Sequence, residues 1–166
     1  MRQEHRFCAE VYHRLYGLID HDKRVLFCLD GAAARQAAIN HEVECSTMPD
    51  LCFRFVGAAN EIRIEAKIMD RRRVKLGAGQ REAWGLGGNG QAVPNLWIGI
   101  DEKFANCWMW EQEGQERFNA RIAGHAGAND HILVFEYQEA PQPCTLDELV
   151  KRIIAWAVEH GFKPKE

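Results

Sequence analysis

The sequence predicts an α/β fold with one central mixed sheet and helices packed beside it. Three observations predict it. Between residues 5 and 19 the apolar residues Cys8, Val11, Tyr12, Leu15, Leu18 and Ile19 recur at helical spacing and form one stripe. Two strongly alternating segments, "DLCFRFV" (50–56) and "EIRIEAKIM" (61–69), follow one another closely and read as a hairpin. Near the end, Thr145 and Glu148 match a capping box ahead of an apolar-periodic stretch that Gly161 can terminate.

Taken in order, residues 5–19 form the first helix. "RVLFCLD" (24–30) suits a short strand, and "GAAARQAAI" (31–39) has helix-forming composition but would equally serve as a turn of helix in a connection. "INHEVEC" (39–45) alternates weakly. In 50–56, Leu51, Phe53 and Phe55 share a face; "VGAAN" supplies the turn. In 61–69, Ile62, Ile64, Ala66 and Ile68 lie on one side and Arg63, Glu65 and Lys67 on the other. "DRRRVKLGAG" (70–79) is polar and contains glycine, so a loop is expected. "QREAWGL" (80–86) predicts a short helix, broken by "GGNGQ". "VPNLWIGI" (93–100) suits a buried strand. "NCWMWEQ" (106–112) and "HILVFEYQ" (131–138) are two more strands, joined by a Gly-rich connection. The last helix spans about 146–160, with Leu149, Ile153, Trp156 and Ala157 as its core face, and "KPKE" should fray. The order is α, β, β, β, α, β, then extra strands and a helix.

A chain of 166 residues with 46% apolar content is long enough to bury a sizeable core as one domain, 1–166, and no repeat or linker divides it. The formal net charge of −3 disfavours a tight, sequence-blind nucleic-acid binder, so contact with an acidic polymer needs a local basic patch. The six cysteines contain no C-x-x-C pair, which leaves a zinc ribbon or thioredoxin-like site unsupported; most read as small core residues. The N-terminus has no signal-like apolar run and nothing approaches a membrane span, so no membrane partner and a reduced, cytoplasmic setting are expected.

One constellation carries chemistry. Pro49-Asp50 opens the first strand of the hairpin, and Glu65-Ala66-Lys67 lies on its second, fifteen positions after Asp50. Pairing of the two strands would stand Asp50 beside Glu65. Two close carboxylates repel each other and attract a divalent cation, and oxygen-only ligands suit Mg²⁺ or Mn²⁺. Lys67 projects on the same face as Glu65, where its ammonium would hold a water or meet charge building on a phosphate. Metal-assisted phosphodiester hydrolysis needs these parts.

"MPDLCFRF" followed by "IRIEAKI" resembles the signature of the PD-(D/E)XK nuclease superfamily, and the α-β-β-β-α-β order over residues 5–100 is similar to its restriction-endonuclease-like αβββαβ core. The extra C-terminal strands and helix (104–162) lie beyond that core. The resemblance implies a Mg²⁺- or Mn²⁺-dependent nuclease that cuts DNA, less often RNA. It implies Asp50 and Glu65 as metal ligands, with the backbone carbonyl of Ala66, and Lys67 as the catalytic lysine. Branches that include VRR-NUC-type nucleases and Holliday-junction resolvases also carry a glutamine early in the following helix, which Gln80 matches. Many members place an acid on the first helix; Glu10 and Glu4 are the candidates here, and neither is assigned.

The plainer reading is a solvated strand face with an incidental cross-strand ion pair, since E-x-K arises by chance about once in every two chains of this length. A second copy, Asp101-Glu102-Lys103, has no Pro-Asp before it at hairpin distance and reads as the charged end of a strand. Arg71, Arg72, Arg73 and Lys75 form the dense basic run; directly after the candidate strand they are placed for phosphate contact, though most such runs are solvated loops. Trp108 and Trp110 share a face suited to core packing or to stacking of unpaired bases. The histidines show no metal spacing, and "GLGGNGQ" lacks the ending of a phosphate-binding loop. The expectation is a metal-dependent deoxyribonuclease, helped by a dimer partner or an associated subunit given its acidity. The alternatives are a nuclease-fold module that binds DNA or protein without cutting, and an unrelated interaction protein.

Overall fold

The computed structural model describes residues 3–18, 24–28, 49–55, 60–69, 73–76, 80, 84, 93–124, 131–134 and 142–162. The elements are α1 (Gln3–Leu18), β1 (Arg24–Cys28), β2 (Leu51–Phe55), β3 (Ile62–Met69), β4 (Arg73–Leu76), β5 (Leu96–Asp101), β6 (Cys107–Glu111), α2 (Gln115–Gly124), β7 (His131–Val134) and α3 (Leu146–Glu159). Five strands form a sheet in the order β1-β2-β3-β5-β6. β1–β2, β2–β3 and β5–β6 are antiparallel, whereas β3 and β5 run parallel, with Glu65 opposite Trp97 and Lys67 opposite Gly99. The α/β class and the mixed sheet therefore stand. β4 and β7 form a separate antiparallel ribbon.

Side-chain period decides which face each layer covers. On α1, Phe7, Val11 and Leu15 lie one turn apart with Cys8 beside them on the same face, and all four are buried. They meet Ile62, Ile64 and Ala66 of β3 and Leu96, Ile98 and Ile100 of β5, and α3 closes the same core with Leu149, Val150, Ile153 and Ala157. Each fully buried Leu, Ile or Phe contributes about 1.5–3 kcal/mol. The other face carries a second core of Met69, Val74, Leu76, Trp84, Trp97, Trp108, Phe118 and Ile122. β5 is covered on both sides, which explains its nearly continuous apolar run. The α3 capping box forms, with Thr145 accepting from the Glu148 backbone, and Gly161 takes the left-handed conformation (φ 84°) that ends the helix. Trp156 is only partly buried against this core.

Two expectations are corrected. The stretch 70–79 is not simply a loop, since Arg73–Leu76 is a strand paired with His131–Val134. Its ladder partner lies more than fifty residues away, so no local signal marks it. The connection between the two late strands is not merely Gly-rich chain: it contains α2, whose buried face is the pair Phe118 and Ile122. The expected elements at 31–39 and 39–45, the "VGAAN" turn apart from Asn60, and the terminal "KPKE" lie outside the described residues. Of the 80–86 helix, Gln80 and Trp84 are described and both have helical backbone. Among the described residues no helix is long and apolar enough to cross a membrane.

Candidate active site at the end of the β2–β3 hairpin

The site begins where β2 stops pairing. Leu51 is opposite Ile64, so Asp50, one residue before the strand, comes level with Glu65. Pro49 has no N–H and cannot extend the ladder. The Ala66 N–H, which faces the β2 side, is left to the Asp50 side chain and donates to its Oδ2 at 2.9 Å. A strand residue points its N–H and C=O to the same neighbour, so the Ala66 carbonyl is turned to the Asp50 side as well. One carboxylate and one backbone oxygen thus face the same space.

Glu65 and Lys67 project from the opposite sheet face to Ile64 and Ala66, and both are buried, with 1% and 6% exposure. Lys67 Nζ lies 2.9 Å from Glu65 Oε1. Gln80 spans the pair: its Nε2 donates to Glu65 Oε1 at 2.6 Å and its Oε1 accepts from Lys67 Nζ at 3.0 Å. The side-chain amide carries both a donor nitrogen and an acceptor oxygen, so one residue bonds both groups. Glu65 Oε2 is buried and meets no hydrogen-bond donor.

Burial, followed by the neighbouring Asp50 charge, pushes the Glu65 carboxyl up to about 8, against the opposing pull of Lys67. Burial also raises Asp50, although the Ala66 N–H and the Lys67 charge work the other way, and its carboxyl lies close enough to share a proton with Glu65. For Lys67, burial alone would favour the neutral amine; the charges of Glu65, Glu4 and Asp50 outweigh it and raise the group, so it stays an ammonium. The pocket crowds the Asp50, Glu65 and Glu4 carboxyl groups around one fixed cation.

The structure therefore brings Asp50, Glu65, Ala66, Lys67 and Gln80 together. It also separates the two first-helix candidates. Glu4, in the first turn of α1, acts electrostatically on both Glu65 and Lys67. Glu10 instead pairs with Arg14, which also bonds Asp147 of α3 at 2.8 Å. His5 lies near enough to act on Asp50; no sequence pattern marked it. Arg73 and Lys75 sit on β4 opposite Val134 and Ile132, while Arg71 and Arg72 lie outside the described residues. The second E-x-K copy is a strand end: Asp101 closes β5 and accepts from the Ala105 N–H at 2.8 Å, and Glu102 and Lys103 are exposed. Trp108 is buried, and Trp110 stacks on Trp97 with ring centroids 6.1 Å apart, which is core packing.

Among the described residues, no three His, Cys, Asp or Glu side chains gather into a metal-binding group. Mg²⁺ does not require one. It keeps several waters and is often bound through one or two carboxylates. The donor-less Glu65 Oε2, the Asp50 carboxylate and the Ala66 carbonyl direction fit such an ion. No family model, no curated protein and no solved structure matches the chain.

Proposed function

We propose that this protein is a divalent-metal-dependent nuclease that hydrolyses DNA phosphodiester bonds. One observation carries the reading: Asp50, just before β2, bonds the Ala66 N–H and comes beside Glu65 of β3, with the Lys67 ammonium paired to Glu65. The connectivity adds support. α1-β1-β2-β3 is followed, after β4 and the helical Gln80 and Trp84, by β5 parallel to β3. That order agrees with a restriction-endonuclease-like core.

When bound, Mg²⁺ or Mn²⁺ would supply positive charge to a phosphate oxygen and acidify an attacking water. Asp50, Glu65 and the Ala66 carbonyl would hold the ion, and Glu65 must lose its proton to do so. Lys67 orients the water or meets the charge that develops on phosphorus. Gln80 limits the Lys67 side chain to one position, and Glu4 adds negative charge at the α1 edge. Attack in line breaks the P–O3′ bond and leaves a 3′-hydroxyl and a 5′-phosphate, as the superfamily resemblance implies. Arg71, Arg72, Arg73 and Lys75 supply cationic charge for the DNA backbone.

The near-complete burial of Glu65 and Lys67 favours a second reading, a nuclease-fold module that binds DNA or protein without cutting. Incubating the purified protein with supercoiled, linear and branched DNA in Mg²⁺ or Mn²⁺ decides between them. Cleavage that Asp50→Ala abolishes supports the nuclease. Binding without cleavage of any of the three supports the module.

A further inference from the structure

Cys107 and Cys144 face each other across an isolated antiparallel bridge at the start of β6. Each backbone N–H donates to the other's carbonyl at 2.8 Å. This is a hydrogen-bonded antiparallel pair, a geometry with a Cα separation of about 5.5 Å. Disulfides span about 4.4–6.8 Å between Cα atoms. Residues directly opposite in such a pair project to the same side, and both thiols enter the same core, beside Ile100 and α3. Both are free thiols. Thirty-six residues, including α2 and β7, separate them in the chain, and Cys144 immediately precedes the Thr145 cap of α3.

We propose that Cys107 and Cys144 form a reversible intramolecular disulfide by exchange with a small-molecule disulfide such as oxidised glutathione. Cys144 is the attacking thiol. It is buried in the bridge but follows the exposed Gln142 and Pro143, and the positive charge of Arg152 partly offsets the effect of burial on it. Burial holds Cys107 at about 12, so it reacts second. The Cys144 thiolate attacks one sulfur of the glutathione disulfide, forming a mixed disulfide and releasing one glutathione thiolate. The Cys107 thiolate then attacks the Cys144 sulfur and expels the second. The two protein thiols lose two electrons and two protons, and one glutathione disulfide becomes two glutathione thiols. Hydrogen-bonded pairs keep their Cβ atoms farther apart than a relaxed disulfide prefers, so the bond forms under strain. A strained disulfide is readily reduced again, the property of a switch rather than a permanent staple. Closure would tie the N-terminus of α3 to β6.

The test is equilibration of the full-length protein in buffers of graded reduced-to-oxidised glutathione ratio, followed by acid quench, denaturation, alkylation and peptide mass mapping. The expected result is a Cys107–Cys144 linked peptide, formed while the near-UV circular dichroism remains native and reversed by excess reduced glutathione. Its formation should raise Tm by several degrees. In Cys107→Ser the expected product is a glutathione adduct on Cys144. Full alkylation of both thiols at the most oxidising ratio, or linkage only after denaturation, would overturn the proposal, as would a different cysteine partner.

Discussion

Lys67 Nζ and Glu65 Oε1 stand 2.9 Å apart, and both side chains are almost wholly withdrawn from water. An alternating strand that spends two positions on a buried ion pair gives up apolar contacts there. Such a pair adds little net stability compared with a well-packed apolar replacement. The other buried residues of β3, Ile62, Ile64, Ala66 and Met69, are apolar, so packing alone does not account for the pair, which Gln80 holds in register.

Metal-free protein should lose stability as the pH rises. The folded Glu65 carboxyl, near 8, is raised above its unfolded value of about 4.5. The stability it contributes is therefore complete below the unfolded value and lost as pH climbs through the folded one. Thermal melts from pH 5 to 9 should show Tm falling in chelator, a shallower fall in Glu65→Gln, and a partial recovery at high pH when Mg²⁺ neutralises the ionised carboxylates.

Lys67→Ala should reduce DNA cleavage by at least about a hundredfold, the scale for loss of one stabilising group at a developing charge. It also leaves Glu65 without its cation. Removing one member of a buried pair costs about 3–5 kcal/mol, less at pH 6 than at pH 8.5, because a protonated Glu65 needs no partner. Urea unfolding at the two pH values measures the difference.

Gln80→Ala should act through position rather than through binding. A drop of about 10–100-fold in single-turnover cleavage is expected, the scale for a residue that orients a catalytic group. DNA affinity in Ca²⁺ should stay unchanged by fluorescence anisotropy. Gln80→Glu, which keeps the length but removes the donor to Glu65, should not rescue the rate.

Glu4→Gln and Glu10→Gln should part company. Loss of the Glu4 charge raises the Mg²⁺ concentration needed for half-maximal cleavage. Glu10→Gln leaves that value alone and costs at most about 1 kcal/mol, since its pair with Arg14 is partly exposed. Equal effects of the two changes on the metal requirement would contradict the placement of the α1 first turn at the site.

How much of this could be seen in the sequence differs from one element to another. β2, β3 and α3 announce themselves because period-two alternation and a capping box are local signals. The approach of Asp50 to Glu65 follows from hairpin pairing alone, so it too was legible. β4 was not: Val74 and Leu76 are its only apolar residues, and its partner β7 is remote. α2 was missed because a two-residue apolar face, Phe118 and Ile122, is too thin to register as periodic. The choice between Glu4 and Glu10 was also hidden. A helical wheel reports the core-facing stripe, whereas proximity to the site depends on how far along α1 each residue lies. The pairing of Cys107 with Cys144 depends on a single bridge far from any hairpin.

The most direct measurement is the anomalous difference map of crystals soaked in Mn²⁺. One Mn²⁺ should be bound by the carboxylates of Asp50 and Glu65 and the Ala66 carbonyl, with the Lys67 ammonium adjacent and no peak there in Asp50→Ala crystals. Mn²⁺ bound elsewhere, with this pocket empty at concentrations that support cleavage, would contradict it.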